Sequence, residues 1–342
     1  MQIVDNKALV FRTRYPSKYE VIPRSKTIGE VKKGVYEVAV HWGLDEVRVL
    51  KNLGVRDVPS PILRSYKWPG KYTPFAHQRD TAAFLTMYKK AFVFSEPGTG
   101  KTLAALWAAD YLMKIGKVRR CLILCPLSIM QAAWLSDINK SIVHRTAAIA
   151  HHSQANRRIE ITKNPYEFII TNYDSLPILA DTIAADGTFD LIIGDECNAW
   201  KNVSTKRWKY LNNLVGANTY LWLMTGTPAA QSPEDAYGLA RLINPSSVPK
   251  FATAWRDKVM RQMTKFKWVP KEDAYDLVHG VLQPAIRFTK AQCLDLPPVV
   301  TVVREPELTA QQVKYYRLLK EQMLVQTAGE TITAVNAATV LN

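Results

Sequence analysis

Two short stretches of this 342-residue chain carry residue types able to do chemistry on phosphates. The first is Ser95-Glu96-Pro97-Gly98-Thr99-Gly100-Lys101-Thr102. Glycines at 98 and 100 leave backbone N–H groups free to close around an anion, and a helix beginning at Lys101 points its positive end at the same place. In such a loop Lys101 reaches the β and γ phosphates of a nucleotide, the Thr102 hydroxyl helps hold Mg²⁺, and Glu96, Pro97 and Thr99 complete the cradle. Ser95 stands where the pattern G-x-x-x-x-G-K-[ST] has its first glycine, and the competing reading is a glycine turn capping an ordinary helix. The second stretch is Asp195-Glu196, delivered by the apolar run Leu191-Ile192-Ile193-Gly194. Asp195 suits Mg²⁺, directly or through water, while Glu196 can orient and activate a water for attack on a γ-phosphate. Two acids after a strand can also be no more than a helix N-cap.

Both stretches need strands to deliver them. From Phe75 to about Pro228 short apolar runs alternate with longer helical patterns, which predicts an α/β domain: a parallel sheet covered by helices on both faces. Strands are expected at Ala91–Phe94, Cys121–Cys125, Ala147–Ala150, Phe168–Thr171, Leu191–Gly194 and Tyr220–Met224. Helices are expected at Gln78–Tyr88, Lys101–Ile115, Ile129–Asn139 and Ser232–Leu242, the last with Ser232 as N-cap and Pro233 in its first turn. Ahead of this domain, strands at Ala8–Arg12 and Val35–Val40 and a helix at Leu44–Leu53 predict a small β-β-α unit. Pro59, Pro61, Pro69 and Gly70 then mark a linker. The domains are placed at residues 1–68, 69–300 and 301–342.

Lys and Arg number 45 against 30 Asp and Glu, a net +15, which favours a polyanionic partner or is simply a solvated basic surface. Between Arg256 and Lys271 six basic residues, Lys265 and Lys267 among them, face only Asp257, with Phe266 and Trp268 interleaved. That suits a surface tracking nucleic-acid phosphates, with aromatics stacking on bases; a solvated helix and loop fits it equally. A second cluster, Lys201, Lys206, Arg207 and Lys209 with Trp208, reads the same two ways. The N-terminal unit holds 13 basic and 7 acidic residues before Lys71. Cys121, Cys125, Cys197 and Cys293 form no CxxC pair and read as buried free thiols of a reducing compartment. No apolar run approaches the roughly twenty residues of a membrane span, and the N-terminus has no secretory pattern, so a cytoplasmic location is expected.

Taken in order, the motifs resemble the Swi/Snf-type branch of superfamily-two helicases from Tyr72 onward. Pro74-Phe75-Ala76-His77-Gln78 looks like that family's Q motif, in which the position of Gln78 reads adenine. The family often lacks the first loop glycine, which accommodates Ser95. Leu124-Cys125-Pro126-Leu127-Ser128 with Trp134 is similar to motif Ia, and Ile170-Thr171-Asn172-Tyr173-Asp174-Ser175-Leu176 to motif Ib; both imply contacts to a nucleic-acid backbone. Asp195 to Asn202 looks like the D-E-x-H box and Leu223-Met224-Thr225-Gly226-Thr227-Pro228 like motif III. Leu242 to Pro245, Arg287 to Lys290 and Leu296-Pro297-Pro298 continue the pattern.

The resemblance implies a RecA-like P-loop NTPase lobe that hydrolyses ATP with Mg²⁺ to move along or remodel duplex or branched DNA, without sequence preference. In a phage-encoded protein the compartment would be the host cytoplasm. Thr225, Gly226 and Thr227 would link the nucleotide to DNA together with Asn198, which stands where the family usually has His. No Q-x-x-G-R-x-x-R pattern follows Gln311–Met323, which resembles the start of a second lobe. An arginine finger contributes several orders of magnitude to such reactions. Weak hydrolysis is therefore expected of this chain alone, with a truncated or naturally split protein and a separate second-lobe subunit to complete it. The alternative is a non-hydrolysing, ATP-gated DNA-binding module. The layout of the N-terminal unit is similar to the substrate-recognition domains of HARP-like fork-remodelling enzymes and phage UvsW-type helicases, which implies DNA recognition; a plain structural or partner-binding unit is the other reading.

Overall fold

A computed structural model describes residues 1–229, 231–264, 267–293, 301–304, 307–322, 324–327 and 330–333. Residues Met1–Leu294 cluster as one compact unit and Asp295–Asn342 as another.

The first unit opens with four strands: β1 (Gln2–Val4), β2 (Ala8–Thr13), β3 (Ser25–Lys32) and β4 (Val35–His41). They form an antiparallel sheet in the order β1-β2-β4-β3, followed by a helix at Leu44–Asn52. The two strands expected from sequence are the central pair, and the sheet has two more at its edges. β3 is largely solvent-exposed and β1 wholly so, so neither carries the alternation of apolar residues that burial imposes on a strand. Leu9, Tyr19, Ile22, Val38, Val40, Val47 and Leu50 fill the space between sheet and helix.

The larger sheet has seven strands, all parallel: β5 (Lys90–Val93), β6 (Arg120–Leu124), β7 (Ala147–Ile149), β8 (Phe168–Thr171), β9 (Phe189–Asp195), β10 (Tyr220–Met224) and, past a small hairpin of β11 (Met260–Gln262) and β12 (Trp268–Pro270), β13 (Ala285–Ile286). Their order is β13-β5-β10-β9-β6-β8-β7. Every residue of β6, β8 and β10 is buried, because successive side chains enter opposite cores. Cys121, Ile123, Ile193 and Trp222 join the core under the Lys101–Lys114 helix, with Trp107 and Leu112. Leu122, Leu124, Ile192 and Leu223 join the other, with Leu179, Leu211, Leu239 and Trp255.

All six strands expected for this sheet are present within two residues. β13 is two residues long and carried too little pattern to be read. The helix expected over Ile129–Asn139 begins instead as a π-helical turn, Met130–Leu135, before continuing as α-helix at Ser136–Ser141. Cys121, Cys125 and Cys197 are buried free thiols, whereas Cys293, also free, is only partly buried; burial pushes the Cys125 thiol up to about 12. Among the described residues no helix is long and apolar enough to cross a membrane. Within the second unit, a helix at Ala310–Gln322 precedes an antiparallel pair, Leu324–Thr327 with Glu330–Thr333.

Candidate functional site

The phosphate loop leaves the carboxyl end of β5, and Asp195 ends β9. β10 lies between them and pairs with both, its Met224 opposite Val93 on one side and Asp195 on the other. The next residue, Thr225, therefore sits between the two stretches. Beyond β9 come the ends of β6, leading to Pro126, and of β8, leading to Asn172 and Tyr173. One edge of one sheet thus carries nearly all the residues singled out in the sequence, at the end of an open α/β sheet where ligands bind.

Two glycines give the loop its shape. Gly98 and Gly100 have φ of +85° and +76°, a region that L side chains rarely occupy. A Cβ on Gly100 would also lie 2.0 Å from Gln78 Nε2, so position 100 excludes a side chain on both grounds. Thr99 closes the loop by donating from Oγ1 to the Glu96 carbonyl at 2.8 Å, and its own carbonyl contacts His77 Nε2 at 2.8 Å. Lys101 donates to the carbonyls of Ser95 at 2.7 Å and Glu96 at 3.2 Å. Burial lowers its ammonium pKa, while Asp195 and Glu196 act to raise it.

The substitution of serine for the loop's first glycine has a structural counterpart. Ser95 Oγ accepts from Phe288 N at 3.1 Å, Glu96 N donates to the Phe288 carbonyl at 3.0 Å, and Glu96 Oε2 accepts from Lys290 N at 2.9 Å. The segment from β13 to Lys290 is laced along the loop by these bonds. The Lys290 side chain reaches the loop itself, its Cε 3.6 Å from where a Cβ on Gly98 would be.

Gln78 is buried. Its Oε1 accepts from Phe75 N at 3.0 Å and its Nε2 donates to the Gly100 carbonyl at 3.5 Å, so its amide braces the helix start and the loop from behind. Phe75, which stacks on His77 with ring centroids 5.7 Å apart, is the exposed group there.

Across the site, Asp195 is 7% exposed and Glu196 is open to solvent with φ +48°. A left-handed residue other than glycine is strained, and such strain collects at functional positions. Thr225 Oγ1 donates to Glu196 Oε2 at 3.0 Å, and Asn198 Nδ2 donates to Thr225 Oγ1 at 3.4 Å and to the Thr227 carbonyl at 3.1 Å. The four residues form one chain of bonds. Gly226 is where this turn meets the phosphate loop: a Cβ there would lie 2.7 Å from Pro97 Cδ. Burial raises the Asp195 pKa, with Glu196 adding to the rise. The Trp134 bond, the Glu196 backbone N–H and Lys101 oppose it.

Trp134, Tyr173 and Arg287 to Lys290 stand in motifs of the sequence, but the bonds they make here are not legible in it. Trp134 Nε1 donates to Asp195 Oδ2 at 3.0 Å, Tyr173 Oη donates to the Asp195 carbonyl at 2.5 Å, and the segment to Lys290 braces the loop. Motif membership does not say where an indole N–H or a phenol O–H points, and two-residue β13 gives no pattern.

The residues present fit a nucleotide's phosphates and a hard divalent cation. The loop offers backbone N–H groups around a lysine. The Thr102 hydroxyl has no hydrogen-bond partner among the described residues, and Asp195 adds carboxylate oxygens, the donors Mg²⁺ takes beside phosphate oxygens. No cluster of three or more His, Cys, Asp or Glu that could cage a metal exists among the described residues.

The remaining expected contacts are more dispersed. Pro126 is half-buried at its turn. Thr171 and Asn172 are buried and bonded inward, Thr171 Oγ1 to the Ala150 carbonyl at 2.8 Å and Asn172 Oδ1 from Ser175 Oγ at 2.6 Å. Lys267 is exposed at the tip of the β11–β12 hairpin, whereas Lys265, Phe266 and Leu296 to Pro298 lie outside the described residues. Trp268 is covered by Arg256, 4.4 Å from its ring centre. In the second basic cluster Lys201 pairs with Asp235, Arg207 with Asp174, and Trp208 donates to the Gly238 carbonyl, so only Lys206 and Lys209 stand clear.

A family model described as the SNF2-related domain matches residues 77–342. Protein p41 of Acyrthosiphon pisum secondary endosymbiont phage 1 is 25% identical over 284 residues, covering 78% of this chain and 61% of that protein. YqhH of Bacillus subtilis, an uncharacterized ATP-dependent helicase by name, is 26% identical over 194 residues, covering 54% of this chain and 31% of its own. The Sulfolobus solfataricus SWI2/SNF2 ATPase core in complex with dsDNA shares the fold, with a TM-score of 0.54 at 22% identity over 65% of this chain and 46% of that one. This chain thus spans less than two thirds of the length of these relatives.

Proposed function

The chain belongs to the SNF2-related domain family, and from that premise we propose that it is the ATP-binding lobe of a motor that hydrolyses ATP to move along or remodel duplex or branched DNA. The observation that carries the reading is the meeting of Lys101, Thr225 and Asp195-Glu196 at the ends of adjacent strands β5, β10 and β9, with the turns after β6 and β8 alongside. A relative named as an ATP-dependent helicase and a structural relative bound to dsDNA support it.

In this reading the loop from Glu96 to Thr102 binds the phosphates, and Lys101 exchanges its two carbonyl partners for phosphate oxygens. Thr102 and Asp195 would hold Mg²⁺, which would neutralise charge on the phosphates. Glu196 orients the attacking water, its carboxylate aimed by Thr225. Asn198 joins Thr225 to Thr227 and does the linking work of the family's usual histidine through its amide. Gln78 reads adenine with the amide hydrogen and oxygen lone pair that its bonds to Phe75 and Gly100 leave open. DNA lies across the turns at Pro126 and Thr171–Tyr173, where buried Thr171 and Asn172 shape the backbone it meets, and Lys265 and Lys267 neutralise its phosphates. Residues 1–68 form an accessory unit contacting DNA, 69–300 the first lobe and 301–342 the beginning of a second; the protein works in the cytoplasm, a host's if it is phage-encoded.

The test is equilibrium binding of a fluorescent ATP analogue with and without Mg²⁺. Lys101→Ala is expected to weaken binding at least ten-fold and Glu196→Gln to leave it within about two-fold of wild type. Binding that ignores Lys101 would refute the assignment of the loop.

A further inference from the structure

Asp195 is held from both of its ends, and each hold comes from a segment assigned above to DNA. The turn after β6 runs from Pro126 into the π-helical stretch Met130–Leu135, which drives Trp134 inward until it is fully buried, with its indole N–H donating to Asp195 Oδ2 at 3.0 Å. π-helical turns recur at functional positions. The turn after β8 carries Tyr173, whose hydroxyl donates to the Asp195 carbonyl at 2.5 Å while its ring stands edge-on to Trp200 at 4.9 Å. Over the outer side of that ring lies Arg207, 5.8 Å away, itself paired with Asp174. Asp195 Oδ1 is turned to the Glu196 backbone N–H at 3.0 Å. Donors on Oδ2 and Oδ1 give the carboxylate one orientation, and the Tyr173 bond fixes the main chain that carries it.

We propose that Trp134 and Tyr173 are positioning residues: they aim the Asp195 carboxylate at the metal and transmit a shift of the two DNA-facing turns to it. The inference rests on Asp195 being a Mg²⁺ ligand. It adds a second route between DNA and the nucleotide, separate from the Glu196-Thr225-Asn198 chain, and one that acts on the metal side of the site. Partners that orient a ligating carboxylate typically matter 10- to 100-fold in metal affinity.

The experiment titrates Mg²⁺ against a fluorescent ADP analogue bound to the whole chain, for wild type, Trp134→Phe and Tyr173→Phe, with and without duplex DNA. Tyr173→Phe removes one oxygen, so it reports even if Trp134→Phe fails to fold, and melting curves identify a folding defect. Affinity for the analogue in EDTA should be unchanged in both variants, while the Mg²⁺ midpoint rises about ten-fold. Duplex DNA, added at a concentration shown to saturate each protein, should move the midpoint of wild type and leave those of the variants in place. Midpoints equal to wild type in folded variants overturn the positioning role, and a DNA-induced shift that persists in both overturns the transmission. A wild type that binds the analogue with no Mg²⁺ dependence overturns the metal assignment itself, and this inference with it.

Discussion

Thr225 is the residue on which the chemistry of the site turns, because its hydroxyl holds Glu196 and is itself held by Asn198. Thr225→Val keeps the shape and removes the hydroxyl. It is expected to leave ATP affinity within about two-fold and to lower turnover ten-fold or more; equal losses in both would mean that the hydroxyl serves binding. Asp195 makes a different prediction. Burial raises its pKa, so the folded state holds the proton more tightly than the unfolded chain, and wild-type stability falls as pH rises from the ordinary carboxylate range through the raised value. Asparagine carries no such loss. Asp195→Asn should melt above wild type at pH 8, with the gap closing on acidification, while losing Mg²⁺-dependent binding. A lower melting temperature at pH 8 would show that the charged carboxylate contributes net stability.

At the scale of elements, strands β5, β9 and β10 could be read from sequence because both faces of the sheet are covered, which makes each a continuous apolar run ending at a polar motif. The elements that escaped are those whose neighbours define them. β3 is an exposed edge, β13 is fixed by its bonds to β5, and the π turn at Met130–Leu135 reflects packing against β7 and β8. Likewise Lys101 and Asp195 announced themselves by motif, whereas Trp134 and the backbone N–H of Phe288 act through contacts that no spacing encodes. Gly226 tests the closeness of two elements: a methyl there would lie 2.7 Å from Pro97 Cδ. Gly226→Ala should push the β10 turn off the phosphate loop, costing about 1–3 kcal/mol of stability and weakening ATP binding about ten-fold. A variant with wild-type affinity would show that the two turns move independently.

For the molecule as a whole, the arrangement along one sheet edge is the point: phosphate loop, Thr225 turn, Asp195-Glu196, then the turns after β6 and β8. The N-terminal unit is tied to this lobe through Arg48 of its helix, which donates to Tyr220 Oη at 2.9 Å and to the Thr86 carbonyl at 2.6 Å, so contacts the unit makes can bear on the lobe. With a net charge of +15, binding to DNA should weaken steeply with salt. The most direct test of the account is steady-state ATP turnover at low salt with and without duplex DNA, for wild type, Lys101→Ala and Glu196→Gln. Turnover should rise with duplex DNA and be abolished by both substitutions. Turnover indifferent to DNA, or surviving Glu196→Gln, would contradict the proposed function, and Lys101-dependent ATP binding with no turnover would make the protein a nucleotide-gated DNA-binding module.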